Sequence, residues 1–269
     1  MTEEAVYGEV VRVEHLTPRM VRIVLGGPGL ASFTPHHTAD QYVNALFVPD
    51  GAPYSAPFVV AEARSLPPEQ RPVGRRYTVR AWDAAARHLT LDFVTHGDEG
   101  TAGRWANRAE PGDKLQLTGP SGSFDPDPDA DWYLMVGDES ALPAIAASIE
   151  RVPAGRPVVA VLVVDGPDHE LPLETPGELR ATWLHRAEDP DSAPALVAAI
   201  RALELPEGRV HGFIHGEAGE TRAVRRHLLG DRAMDPEMLS ISPYWRRSYT
   251  DERWREVKRQ WLAEVAADV

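Results

Sequence analysis

Cysteine is absent from the 269-residue chain. That excludes a disulfide framework, a thiolate-ligated zinc or iron–sulfur site and a cysteine nucleophile. Lysine is nearly absent as well, since Lys114 and Lys258 are the only two among 28 basic residues. We attribute this to a GC-rich coding sequence rather than to selection for guanidinium geometry. Positive charge is in deficit overall: 28 basic against 41 acidic residues give a net charge of −13. A nucleic-acid surface needs clustered cations to displace phosphate counterions, so this balance argues against such a partner. No apolar run approaches the roughly 20 residues that span a bilayer. The acidic opening Met1-Thr2-Glu3-Glu4 lacks the basic and apolar regions of a secretory signal. The expectation is a cytoplasmic protein without membrane insertion. Hydrophobic residues at 43% and charged residues at 26% are ordinary for a folded protein, and the length predicts about two domains.

The first half alternates polar with β-branched or aromatic residues at period two. Strands are predicted over Val6–Val13, Met20–Leu25, Gln41–Val48, Tyr77–Trp82, Leu89–Val94 and Lys114–Leu117, with a short helix following Gly100. Six short strands joined by Gly and Pro turns predict a small antiparallel barrel over residues 1–125. Asp125-Pro126-Asp127-Pro128-Asp129-Ala130-Asp131 neither packs nor pairs and marks the boundary. From 131 to 269 the grammar becomes strand, loop, helix. Strands are predicted at Tyr133–Val136, Val158–Val164, Thr182–His185, Val210–Ile214 and Met238–Ile241, and helices at Leu142–Ile149, Ala195–Leu203 and Arg222–Leu229. This alternation predicts a parallel α/β sheet with ligands outside the carboxyl ends of its strands. A last amphipathic helix, about 251–265, presents Trp254, Val257, Trp261, Leu262 and Val265 for docking.

Chemistry concentrates in the barrel half. Arg71, Arg75, Arg76, Arg80 and Arg87 surround a single acid, Asp83, and so invert the protein's overall sign. Arg75, Tyr77 and Thr78 are expected on one strand face, where guanidinium, ring and hydroxyl suit a phosphate, a planar ring and a ring nitrogen. The alternative is a plain surface strand. Downstream, His96-Gly97-Asp98-Glu99-Gly100-Thr101-Ala102-Gly103 runs straight into a helix, and such a loop offers backbone N–H groups to a pyrophosphate. The ten histidines include no His-Glu-x-x-His arrangement, so no protein metal site is expected. Ser121 in Gly119-Pro120-Ser121-Gly122 belongs to a turn rather than a nucleophile elbow.

Three separated motifs, Arg75–Arg80, Asp92–Gly100 with Ala102, Trp105 and Ala106, and Gly137-Asp138-Glu139-Ser140-Ala141-Leu142-Pro143-Ala144, occur in order. With Trp183–Arg186, His215-Gly216-Glu217 and Tyr244–Arg247, they make nearly the whole chain resemble the siderophore-interacting proteins. These are FAD-dependent ferric-siderophore reductases of the ferredoxin-NADP reductase superfamily. The resemblance implies that residues 1–125 form an FAD-binding barrel and 131–269 an NAD(P)-binding-like domain. It implies that Arg75 binds the FAD pyrophosphate, Tyr77 lies against the flavin or ribityl chain, and Thr78 approaches flavin N5. Val94 and His96 would contact flavin or phosphate, and Thr101, Ala102 and Gly103 would present amides. The turn carrying Glu139 is a candidate nicotinamide cleft. Arg186 is either a partner for the 2′-phosphate of NADPH or a solvated arginine.

Tyr244, Trp245, Arg246 and Arg247, expected after the last strand, either line the mouth for a ferric siderophore or dock the helix. The implied reaction converts ferric siderophore to the ferrous form, with no side-chain acid or base required and hence no catalytic residue named. NADPH, NADH or ferredoxin would supply the electrons. A general NAD(P)H–flavin oxidoreductase with another acceptor, or a non-catalytic siderophore carrier, are the alternatives. The chain departs from the family's pattern at Thr101, where proline is usual, at Ser140, where threonine is usual, and at Ser248, where glycine is usual. The last change falls at the approach to the terminal helix.

Overall fold

The structure is a computed structural model that describes residues 5–97, 100–186 and 192–268. Asp98 and Glu99 of the loop motif lie outside the described residues. Two compact units divide the chain, Met1–Asp125 and Pro126–Val269.

The first unit contains strands β1 (Tyr7–Thr17), β2 (Met20–Gly26) and β3 (Tyr42–Phe47), helix α1 (Val60–Ser65), strands β4 (Val73–Asp83) and β5 (His88–Val94), helix α2 (Thr101–Arg108) and strand β6 (Lys114–Ser121). The strands close into a barrel in the order β1-β2-β5-β4-β3-β6, and each neighbouring pair is antiparallel. Alternation explains the closure. Val21, Ile23 and Leu25 on β2, Val43, Ala45 and Phe47 on β3, and Leu89, Leu91 and Phe93 on β5 all point into one core.

Strand β4 starts four residues before the expected Tyr77, so Arg75 and Arg76 lie inside it. Helix α1 was not foreseen, because six residues are too few to show a helical period. The segment leading into it is pinned by buried Gln116, whose side chain accepts from the Phe58 N–H at 2.7 Å and donates to the Phe58 carbonyl at 2.9 Å.

The second unit comprises β7 (Trp132–Asp138), α3 (Leu142–Ile149), β8 (Pro157–Val164), β9 (Glu178–His185), α4 (Ser192–Ala202), β10 (Val210–Glu217), α5 (Ala218–Arg226), β11 (Leu239–Trp245) and α6 (Asp251–Ala266). The sheet order is β11-β10-β7-β8-β9, parallel throughout. The chain runs outward from β7 to β9 and then returns to place β10 on the other side of β7. That reversal makes a switch point at the carboxyl ends of β7 and β10. The apolar run of β8 is buried along Val158–Val164, as a strand covered on both faces requires.

The Pro/Asp stretch packs with this unit. The Tyr133 hydroxyl donates to the Asp127 carbonyl at 2.6 Å, and the Asp127 N–H donates to His211 Nδ1 at 3.0 Å.

Helix α6 docks through buried Trp254, Trp261 and Val265, with the two indoles edge to face at 5.5 Å. Leu262, expected on the docking stripe, is 40% exposed. At about 100° per residue it sits about 80° from Trp254, whereas Lys258 is closer to the centre of the face and donates to the Pro243 carbonyl at 2.6 Å.

Candidate functional site

In the first unit, β4 and β3 pair in the register Ala45↔Arg75, Val43↔Tyr77 and Tyr42↔Thr78. Arg75 and Tyr77 are therefore two residues apart on one face, together with buried Val79. Thr78 falls on the opposite face, which corrects the expectation that all three point the same way: successive side chains of a strand alternate. The Tyr77 ring lies 4.1 Å from Phe93 and edge-on to Phe47 at 6.3 Å. Trp105 of α2 packs against the same two phenylalanines at 5.8 and 5.6 Å. A continuous aromatic cluster thus joins β4, the end of β5 and α2, with Phe47 and Phe93 inside the barrel core and Tyr77 and Trp105 partly buried against it.

Strand β5 ends at half-buried Val94; Thr95 is buried and His96 exposed. Gly97 and Gly100 take positive φ of 61° and 69°, a region open to glycine at little steric cost. Helix α2 then begins after Gly100 with no side-chain cap among the described residues. Its first internal hydrogen bond runs from the Arg104 N–H to the Gly100 carbonyl at 3.3 Å. The N–H groups of Thr101, Ala102 and Gly103 precede that bond and have no acceptor within the helix. Thr101 occupies the first helical position, where a family proline is well tolerated. Arg75 donates to the Gly74 carbonyl at 3.0 Å. Asp92 is held by Arg22 in a bidentate pair of 2.7 and 2.8 Å and so clamps β2 to β5. A partly buried Tyr77 backed by core aromatics, a guanidinium on the same strand face and a helix start with no side-chain cap among the described residues fit the ring and diphosphate of FAD.

The second unit gathers charge at the switch point. Gly137 is required there, because an added Cβ would lie 2.7 Å from both the Ala141 Cβ and the His215 carbonyl. Asp138 is fully buried and takes four hydrogen bonds. Ser140 donates through its N–H and hydroxyl, at 2.9 and 2.5 Å, the Glu217 N–H at 2.9 Å and the Trp245 indole at 2.7 Å. Ser140 supplies the hydroxyl that a family threonine would. Burial and the neighbouring Glu139 charge still push the Asp138 carboxyl above its usual range, against the bonds from Ser140 and Trp245 and the charge of Arg186.

Glu139 forms a bidentate pair with Arg186 at 2.8 and 2.7 Å, and Arg186 also donates to Asp165 at 2.9 Å. Burial opposes the charge on Arg186, but the Glu139 bond and the surrounding carboxylates hold its pKa above normal. Arg186 is thus paired with carboxylates rather than solvated. Glu220 accepts from the Ser192 hydroxyl and is pushed up to about 7 by burial and the charge of Asp138.

The four aromatic and basic residues are placed differently from the expectation. Tyr244 and Trp245 are the last residues of β11 rather than a segment beyond it. Pro243 reads as a strand stop, yet an edge strand such as β11 tolerates it. Trp245 clamps Asp138, Arg246 stacks on Tyr249 at 4.6 Å, and the Arg247 N–H donates to Glu217 at 3.0 Å. Tyr244 meets His215 edge-on at 5.0 Å. His215 is stacked flat on Phe213 at 3.7 Å, and burial together with the Lys258 charge lowers its pKa to about 3.

Sequence reasoning missed Asp165, His169 and Glu220. A ring nitrogen of His169 and oxygens of Glu139 and Asp165 lie within 4.8 Å of one another, but the Arg186 guanidinium already bridges the two carboxylates. The available signal was positional: a charged residue stands at or just beyond the end of each of β7 to β10.

Comparison with known proteins agrees with this architecture. Residues 9–124 match the family model of the siderophore-interacting FAD-binding domain, and residues 130–248 that of the siderophore-interacting protein. The chain is 42% identical to an uncharacterized protein of Mycobacterium tuberculosis over 96% of both chains. It is 33% identical to the ferric vibriobactin reductase ViuB of Vibrio cholerae over 92% of both. It is 32% identical to the NADPH-dependent ferric-chelate reductase of Escherichia coli, over 88% of this chain and 91% of that one. Among solved structures, the siderophore-interacting protein SipS from Aeromonas hydrophila superposes with a TM-score of 0.82 at 29% identity, covering 98% of this chain and all of that one (100%). The chain belongs to the siderophore-interacting protein family.

Proposed function

We propose that this protein is an FAD-dependent reductase that converts a ferric siderophore to its ferrous form, so that the weakly held Fe(II) is released in the cytoplasm. The observation that carries the reading is the partly buried pair Tyr77 and Trp105, backed by core Phe93, together with the start of α2, which has no side-chain cap among the described residues. Ferric reduction is what the names of the Vibrio cholerae and Escherichia coli relatives describe.

Arg75 holds the FAD diphosphate by charge-assisted hydrogen bonds, with the amides of Thr101, Ala102 and Gly103 as further donors. Tyr77, braced by Phe93 and Phe47, supports the flat ring and fixes its tilt. Family membership adds Thr78 as a neighbour of the flavin, and Val94 and His96 as neighbours of the flavin or phosphate. FAD, when bound, accepts electrons in a pair and passes them singly, which suits Fe(III), a one-electron acceptor. The protein's task is orientation and exclusion of water, and no side chain needs to exchange a proton with the iron complex.

The second unit, with Glu139 and Arg186 at its switch point, serves the nicotinamide donor. Tyr244 and the Arg246 guanidinium line the approach of an oxygen-rich siderophore, while Trp245 and Arg247 hold the end of β11 in place. The test is reconstitution: apoprotein mixed with FAD should turn yellow and bleach anaerobically with a nicotinamide donor. Protein that stays colourless after exposure to excess FAD refutes the proposal.

A further inference from the structure

We propose that the carboxylates around Arg186 bar a 2′-phosphate from the second unit, so that its dinucleotide donor is NADH rather than NADPH. This rests on reading the switch point as the donor cleft. In sheets with this reversal the ligand lies outside the carboxyl ends of the strands. There a carboxylate selects the 2′-hydroxyl of the NADH ribose, and an available arginine selects the 2′-phosphate of NADPH. Asp138 and Glu139 stand at or just beyond the end of β7, Asp165 after β8, Arg186 after β9 and Glu217 on β10.

Arg186 is therefore the group that a 2′-phosphate would need, and both of its terminal nitrogens are engaged, while its Nε is buried without a hydrogen-bond partner among the described residues. Nη1 donates to Glu139 at 2.8 Å and to Asp165 at 2.9 Å, and Nη2 to Glu139 at 2.7 Å. Asp138 stands 4.0 Å from Nη2, and Glu220 4.0 Å from Nε. The arginine side chain is only 15% exposed. Four carboxyl groups thus stand around this guanidinium, and Arg247 lies 3.7 Å from the outermost of its contacts, Glu220.

A phosphate brings about −1.5 to −2 of charge. To reach Arg186 it must displace a bidentate carboxylate and then stand beside the carboxyl groups it has displaced. A ribose diol meets the opposite situation, because its hydroxyls donate to carboxylate oxygens without adding charge. The residues present therefore do not fit NADPH, although the chain is 32% identical to a relative named as NADPH-dependent.

Two measurements test this on the full chain. Calorimetry compares the binding of AMP with that of adenosine 2′,5′-bisphosphate, which needs no flavin chemistry. Anaerobic stopped-flow compares flavin bleaching by NADH and NADPH. The wild type should bind AMP at least tenfold more tightly than the bisphosphate and bleach at least tenfold faster with NADH. Glu139→Gln and Asp165→Asn should each narrow both ratios, and the double variant should narrow them most. Asp165 is the more exposed of the two, so Asp165→Asn keeps the test alive if Glu139→Gln fails to fold.

Tighter binding of the bisphosphate, or faster bleaching with NADPH, overturns the inference and leaves the donor cleft standing. Ratios unchanged in the variants also overturn it, since the cage would then not be the cause. If AMP does not bind and neither nucleotide bleaches a flavin that dithionite does reduce, the donor reading itself falls, and this inference with it.

Discussion

Replacing Glu220 by glutamine should remove a pH dependence from the stability of the second unit. Glu220 lies in the first turn of α5, is 4% exposed, and accepts from Ser192. Burial and the charge of Asp138 push its pKa up to about 7, from a usual value of 4.5. The folded protein therefore binds this proton more tightly than the unfolded chain does. The resulting stabilisation is complete below about pH 4.5 and is lost as the pH rises through about 7. A difference of about 2.5 pH units corresponds to roughly 3 kcal/mol. Asp138 is shifted in the same direction and adds to the slope.

Glutamine keeps the size and the hydrogen-bonding capacity but cannot ionise. Hydrogen-exchange protection of β7 and β10 amides at pH 5, 6, 7 and 8 reads the effect locally. The wild type should lose about 2.5 kcal/mol more protection than Glu220→Gln between pH 5 and 8. Parallel pH profiles for the two proteins would refute the reasoning, because a carboxyl group that ionises freely at this position imposes no such penalty.

Arg75→Ala should weaken FAD by a charge-assisted bond of roughly 1.5 to 3 kcal/mol, a tenfold to hundredfold rise in Kd seen by fluorescence titration. Ser248 takes φ of 64° just before α6, where a side chain costs roughly 1 to 2 kcal/mol, so Ser248→Gly should raise the melting temperature of the second unit. A fall would show that the left-handed turn is not strained. Trp254→Ala removes a buried indole, 2% exposed, at about 3 to 5 kcal/mol. Proteolysis should then release α6 before the rest of the unit unfolds, and simultaneous loss of both would contradict the docking account.

The elements that show in the sequence are those whose pattern one physical rule controls. Period-two alternation exposes β2, β3 and β5, and the unbroken apolar run Val158–Val164 exposes β8. Leu142–Ile149 is legible because Pro143 opens it. Elements governed by tertiary context are not legible. β11 runs through Pro243 because nothing pairs on its outer side, and α1 is held by Gln116 from a distant strand.

The same division applies to the sites. Arg75, Tyr77 and the loop before α2 are close in sequence and so can be read as a group. Thr78 was assigned to the wrong face because adjacency in the motif outweighed alternation. The cage around Arg186 is assembled from residues after four different strands, Asp138 and Glu220 being 82 positions apart in the chain. No local spacing reports it, and only the sheet order brings it together.

The most direct test of the central claim bypasses the donor. FAD-reconstituted protein is photoreduced anaerobically and mixed with a ferric catecholate or a ferric hydroxamate in the presence of a chromogenic Fe(II) chelator. Reoxidation of the flavin together with stoichiometric appearance of the ferrous chelate, for at least one of the two, is the predicted result. Photoreduced protein that stays bleached with both complexes, and forms no ferrous chelate, would contradict the account.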